Sequence, residues 1–153
     1  MSGKILCHAG YPGTGKNYLA AKMKDHKELA SADSLKEDVS ILHNIPINYF
    51  YDRDLKDTYY EKIKKTPREL LIEHATEMRK KDIHRYINKV IAQIDDEHNF
   101  VITDLRFHSE LYRLKRLFGN RVEVVWIKRE GYKKGIDSIE ITEDDCDRVI
   151  ENI

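Results

Sequence analysis

Short apolar runs alternate along this chain with longer segments of helical periodicity. The first run, Ile5-Leu6-Cys7-His8-Ala9, predicts a buried strand over residues 4–9. A helix is expected next, from about 15 to 27, and a shorter one over 33–43. Residues 44–51 carry Pro46 and alternate Ile45, Ile47, Tyr49 and Tyr51, which reads as an extended segment. Residues 54–65 are charged, with a thin apolar stripe, and read as helix. Thr66-Pro67-Arg68-Glu69 joins a capping Thr, a proline at the first helical position and a Glu three residues after the cap. Leu70, Leu71, His74, Ala75 and Met78 then share one face. Ile83, Tyr86, Ile87, Val90, Ile91 and Ile94 predict another helix over 82–95. Phe100-Val-Ile-Thr103 reads as a buried strand that ends in Asp104. Phe107, Leu111, Leu114 and Phe118 mark a helix closed by Gly119. Residues 122–127 form a nearly all-apolar strand, and 128–140 a polar loop with Gly131 and Gly135. A capped segment from Thr142 and a last strand over 148–150 complete the chain.

Apolar strands alternating with helices predict an α/β architecture: a mainly parallel sheet of four to five strands flanked by helices. At 153 residues the chain is expected to form a single domain, 1–153. Ligands of such sheets sit beyond the carboxyl ends of the strands. Residues 10–17, 104–106 and 128–129 each follow a strand, so function is expected there.

The first of these segments is Gly10-Tyr-Pro-Gly13-Thr14-Gly15-Lys16-Asn17. A glycine loop between a strand and a helix is the setting of a phosphate-binding P-loop. Glycines let successive N–H groups curl around phosphate oxygens, the helix start adds partial positive charge and Lys16 adds a full one. Asn17 stands where the strict motif has a hydroxyl, so a glycine-rich turn capped by Asn is the other reading. Taken as a P-loop, the segment makes the fold a three-layer P-loop NTPase fold. It assigns nucleotide contacts to Gly10, Gly13, Thr14, Gly15, Lys16, Asn17 and Tyr18.

Composition narrows the picture. Hydrophobic residues make up 41% and charged residues 35%, as in a soluble globular protein, and no run is long enough to span a membrane. Lys+Arg and Asp+Glu are both 27, which argues against a general nucleic-acid binder. Cys7 and Cys146 have no metal-binding spacing, and Cys7 is expected to be a buried, reduced thiol. No signal peptide is visible, so a cytoplasmic location is expected.

Asp104, at the exit of an apolar strand, reads either as a carboxylate that places Mg²⁺ or its water shell, or as a helix cap. Arg106, two residues on, reads as a phosphate-site cation or as the partner of Asp104 in a structural salt bridge. Arg68, Glu77, Arg79, Lys80 and Arg85 are polar residues of the middle helices. They read singly as solvated surface and together as a grip for an acceptor phosphate, for which the guanidinium fork is suited.

At this point the residues resemble the phage-type deoxynucleoside monophosphate kinases. The resemblance covers most of the chain in blocks. The glycine loop of that family commonly has an acidic residue where this chain has Asn17. Residues 66–79, Thr-Pro-Arg-Glu-Leu-Leu-Ile-Glu-His-Ala-Thr-Glu-Met-Arg, are similar to its Arg-x-Leu…Thr-Glu…Arg block, with Ala75 replacing a glycine. Tyr86 stands near where a tryptophan is usual. Val101-Ile-Thr-Asp104-Leu-Arg106-Phe-His-Ser-Glu110 is similar to its Asp-x-Arg-Phe…Glu block. Residues 124–129 resemble its strand ending in Arg, here Arg129. Ile141-Thr-Glu143 and Asp147-Arg-Val-Ile-Glu-Asn152 resemble its carboxyl-terminal signatures.

The resemblance implies a kinase that moves the γ-phosphoryl of ATP, with Mg²⁺, onto a (deoxy)nucleoside monophosphate. Lys16, Asp104, Arg106 and Arg129 would serve catalysis, with Asp104 at the metal, directly or through water. Arg68, Glu77 and Arg79 would bind the acceptor, on a helical insertion around 33–95. Such an enzyme would need neither nucleic acid nor membrane, would act as monomer or homodimer, and would work in the host cytoplasm if viral. Two other readings stay open: a P-loop kinase of another small acceptor, such as a sugar acid or phosphomevalonate, and a nucleotide-binding module that has lost catalysis.

Overall fold

A computed structural model of the chain describes residues 3–132 and 139–152. Of the polar loop expected over 128–140, residues 133–138 lie outside the described residues. The chain divides into two compact units, one made of Met1–Ser31 with Ile87–Ile153, the other of Ala32–Tyr86.

The first unit is a five-stranded sheet in the order β2-β3-β1-β4-β5. Its strands are β1 (Ile5–Ala9), β2 (His26–Leu29), β3 (Asn99–Ile102), β4 (Val122–Lys128) and β5 (Arg148–Glu151). Every pairing is parallel, with Cys7 opposite both Ile102 and Val124. β1 is central and all five of its residues are buried, as its unbroken apolar run requires. Successive side chains of a strand face opposite ways. Ile5, Cys7 and Ala9 accordingly pack with Leu111 and Leu114 of α6 (His108–Phe118) and with Ile87 and Val90 of α5 (Arg85–Ile91). Leu6 faces the other side and packs with Ala20 of α1 (Lys16–Ala21). Helices thus cover both faces, and the expected α/β sheet of three layers is present.

Cys7 is wholly buried, and burial pushes its thiol far above the usual range. It therefore stays protonated and acts as a small core residue.

Several expectations need correction. The helix after the glycine loop ends at Ala21 rather than near residue 27, and His26–Leu29 forms the edge strand β2. Only Leu29 of that strand is buried, so its sequence carries no strand periodicity. The helix expected over 82–95 is the shorter α5, and Ile83 lies outside it, exposed.

The second unit is helical: α2 (Ser31–His43, which begins one residue earlier), α3 (Arg53–Lys56) and α4 (Pro67–Lys81), around a core of Val39, Ile45, Phe50, Leu70 and Leu71. Residues 44–51 are not extended. Asn44 takes a left-handed turn with φ 53°, Pro46 leads into a 3₁₀ turn over Ile47–Phe50, and Ile45 and Phe50 are the side chains that bury. The helix expected over 54–65 is only the four residues of α3, started by the Asp52 carboxylate, which accepts from the amides of Asp54 and Leu55. Lys64, at φ 56°, turns the chain before α4. The capping box of α4 forms as its sequence predicts: Thr66 Oγ1 accepts from Glu69 N at 3.1 Å, and Thr66 N donates to Glu69 Oε1 at 3.0 Å.

Candidate functional site

The glycine loop leaves the carboxyl end of β1 and turns directly into α1. Gly13 has φ 80° and Gly15 has φ 92°, both in the left-handed region that favours glycine. A Cβ on Gly13 would stand 2.7 Å from the Tyr132 ring, which would have to shift to admit it. The buried hydroxyl of Thr14 donates to Tyr11 O at 2.9 Å, inside the loop. Lys16 Nζ arches over the loop and donates to Gly10 O at 2.7 Å and Tyr11 O at 2.9 Å. The ammonium is thereby held against the loop's own carbonyls. Asn17 and Tyr18, the first residues beyond Lys16, are exposed, and Lys22 stacks on the Tyr18 ring.

Beneath the loop, buried His8 lies 3.4 Å from Lys16 O through Nδ1, and burial lowers its pKa below the ordinary value. His8 O accepts from Leu105 N at 3.2 Å, which ties β1 to the segment leaving β3. That segment carries Asp104 and Arg106, both half-buried, on either side of buried Leu105. Asp104 Oδ1 accepts from Ser31 N at 2.9 Å. Arg106 is fixed through its backbone: its O accepts from Glu140 N at 2.8 Å and Ile141 N at 3.1 Å.

Sequence reasoning did not name Glu110 among the site residues. It is buried on the first turn of α6, and one of its oxygens accepts from Arg106 N and Phe107 N, each at 3.0 Å. The other lies 3.4 Å from Ser31 Oγ. Burial first, and then the Asp104 charge, push its pKa up to about 7. The signal was present in the spacing from Phe107 to Glu110, which is that of a capping carboxylate reaching back three residues.

Arg129 follows β4, and its guanidinium lies 5.0 Å from the centre of the Tyr132 ring. A cleft of about 540 Å³ opens here, lined among others by Tyr11, Thr14, Trp126, Lys128, Arg129 and Tyr132. That volume is in the range of small-molecule sites. The loop, Arg129 and the cleft are therefore contiguous, while Asp104 and Arg106 stand at the exit of the strand on the other side of β1.

Arg68, Glu77 and Arg79 belong to α4 of the second unit. Arg68 grips Asp57 with two donors, Nε to Oδ1 at 2.7 Å and Nη2 to Oδ2 at 3.4 Å, and this pulls the Asp57 pKa down. Glu77 pairs with Lys80 at 3.1 Å on the exposed face. Arg79 is half-buried in the last turn. Arg85 Nη2 and Tyr86 OH both donate to Asp38 Oδ2, at 3.1 and 3.0 Å. His74 Nε2 is buried and has no hydrogen-bond partner among the described residues.

Among the described residues, no helix is long and apolar enough to cross a membrane, and no group of three or more His, Cys, Asp or Glu is placed to hold a metal.

No protein-family model matches the chain, and no curated protein does. Similar solved structures include an APS kinase of Mycobacterium tuberculosis in complex with AMPPNP and APS, at 10% identity and TM-score 0.47, over 98% of this chain and 88% of that one. A gluconokinase from Sinorhizobium meliloti is 14% identical with TM-score 0.43, over 85% of this chain and 58% of that one. A sugar kinase from Janibacter is 13% identical with TM-score 0.41, over 97% of this chain and 85% of that one. None reaches a TM-score of about 0.5, so the reading of the site rests on its own geometry.

Proposed function

We propose that this chain is a P-loop phosphotransferase that moves the γ-phosphoryl of ATP onto a small phosphorylated acceptor, a (deoxy)nucleoside monophosphate. The observation that carries the reading is the glycine loop at the exit of the central strand, with the Lys16 ammonium bonded across it to Gly10 O and Tyr11 O. Backbone amides of residues 13–17 hold the β- and γ-phosphates, and Lys16 adds a movable point charge. Arg106 and Arg129 stabilise the negative charge that shifts during transfer. Such a reaction asks for positioning and charge stabilisation, and no covalent nucleophile is required.

The donor set fits Mg²⁺. Sites of this ion use one or two carboxylates, water and the substrate's own phosphates rather than an all-protein cage. Asp104 is the carboxylate for that role, and the exposed Asn17 amide contributes little. When bound, Mg²⁺ neutralises phosphate charge. Asp104 itself is held in place by Ser31 N.

Arg68 and Arg79 bind the acceptor phosphate in this reading, with Glu77 on the same helix. Arg68 reaches that state by exchanging the Asp57 carboxylate for phosphate, a swap its fork geometry permits. ADP release, coupled to an optical readout, tests the proposal across nucleoside monophosphates, sugar acids and phosphomevalonate. Turnover with one or more monophosphates supports it. Turnover confined to the other acceptors keeps the P-loop kinase and discards the nucleotide acceptor. ATP binding without any transfer identifies a module that has lost catalysis.

A further inference from the structure

The carboxyl-terminal strand does more than extend the sheet. β5 is pinned to β4 at both ends. At its start, Asp147 N donates to Val124 O at 2.8 Å, and Asp147 Oδ2 accepts from Val124 N at 2.8 Å. At its end, Asn152 N donates to Lys128 O at 2.7 Å, one residue beyond the last strand pair. This fixes the Asn152 backbone beside the exit of β4. The side chain then reaches out of the sheet, and Nδ2 donates to Thr14 O at 3.0 Å, across a sequence separation of 138 residues. The same amide fills the space over Gly15, where an added Cβ would collide with it.

We propose that Asn152 is a positioning residue for the glycine loop; the proposal rests on the phosphate-binding reading of that loop. A loop that binds anions through its N–H groups must keep its carbonyls turned elsewhere. The carbonyls of Gly10 and Tyr11 are held by Lys16, and that of Gly15 by Leu19 N within α1. The Thr14 carbonyl is held by Asn152. Lys16 is also the residue expected to meet phosphate, so its grip on the loop changes when an anion enters. The Asn152 contact stays constant, because it is anchored on β4. An amide suits the task because it donates to a carbonyl without adding charge beside the anion site. A carboxylate of the same shape would have no proton to donate and would repel both Thr14 O and phosphate.

The test compares Asn152→Ala, Asn152→Asp and Asp147→Ala in the full chain. Asp147→Ala loosens the same strand from the same neighbour without touching the loop. Three quantities are read: the melting temperature, the ATP dissociation constant by calorimetry, and hydrogen exchange of the amides of residues 13–16 in the ligand-free protein. Asn152→Ala is expected to weaken ATP by about fivefold or more, the worth of one hydrogen bond, and to speed exchange in the loop. Asn152→Asp is expected to weaken ATP at least as much, and being isosteric it stands in if the Ala variant does not fold. Asp147→Ala is expected to lower the melting temperature while ATP affinity stays within about twofold. Two results overturn the proposal: Asn152 variants that bind ATP like the parent, or Asp147→Ala that weakens ATP as much as they do. If the parent chain itself binds no ATP, the phosphate-binding reading fails, and exchange alone decides. Faster loop exchange in the Asn152 variants but not in Asp147→Ala then supports the clamp, and unchanged exchange overturns it.

Discussion

Replacing Glu110 by Gln should make the protein more resistant to rising pH. The Glu110 carboxyl is 7% exposed and close to Asp104, and its pKa is pushed up from 4.5 to about 7. In the unfolded chain it loses its proton at ordinary carboxylate pH. Between these two values the native state binds more protons than the unfolded state, so stability falls as pH rises. The difference corresponds to about 3 kcal/mol, present at acid pH and lost by about pH 8. Gln keeps an oxygen for Arg106 N and Phe107 N but cannot ionise, so the variant lacks this slope. His8 acts in the opposite direction. Its pKa is lowered by burial, so it costs stability as pH falls below its ordinary 6.5. That contribution is common to both proteins and cancels in their difference. Urea unfolding of parent and Glu110→Gln at about pH 5 and about pH 8 gives the two differences directly, and the variant should gain about 2–3 kcal/mol on the parent across that interval. Parallel stability curves would refute the reasoning. They would mean that Glu110 is hydrated or paired well enough to ionise freely in the native state.

Asp104→Asn keeps an oxygen for Ser31 N but removes the charge, so the Mg²⁺ concentration needed for half-maximal rate should rise by about tenfold or more, whereas Asn17→Ala should shift it little; a silent Asp104→Asn in an Mg²⁺ titration of initial rate makes Asp104 a structural partner of Ser31 N. Arg68→Ala should raise the acceptor KM by about tenfold with the ATP KM unchanged, and Asp57→Asn, which releases the guanidinium, should lower the acceptor KM. If Arg68→Ala lowers only the melting temperature, its pair with Asp57 ties the chain before α4 to that helix and has no part in acceptor binding.

How much of this was legible in the sequence differs from element to element. β1, β3, β4 and α6 announce themselves because burial on the sheet faces demands unbroken or evenly spaced apolar residues. α4 does so through its capping box, a local interaction that needs no partner from elsewhere in the chain. β2 was invisible because an edge strand with one buried residue, Leu29, leaves no periodic trace. Residues 44–51 misled because Ile45, Ile47, Tyr49 and Tyr51 alternate, yet Pro46 and a left-handed Asn44 set the backbone, and Ile45 and Phe50, which do not share one phase of that alternation, are the side chains that fill the core. At the site, the loop and the strand exits were readable from residue types at short spacing. The partners of those residues were not. Ser31 meets Asp104, Asp57 holds Arg68 and Asn152 meets Thr14 through tertiary folding, and nothing in local spacing encodes such meetings.

The central claim is that Lys16 and its loop deliver a phosphoryl group. Its most direct test follows label from γ-³²P-ATP into a nucleoside diphosphate, with parent and Lys16→Met proteins run side by side and circular dichroism confirming that both are folded. The parent should transfer label to a monophosphate, and Lys16→Met should be slower by about 10²–10³-fold, the usual cost of losing one donor aimed at developing charge. Near-parental transfer by a folded Lys16→Met protein would contradict the account.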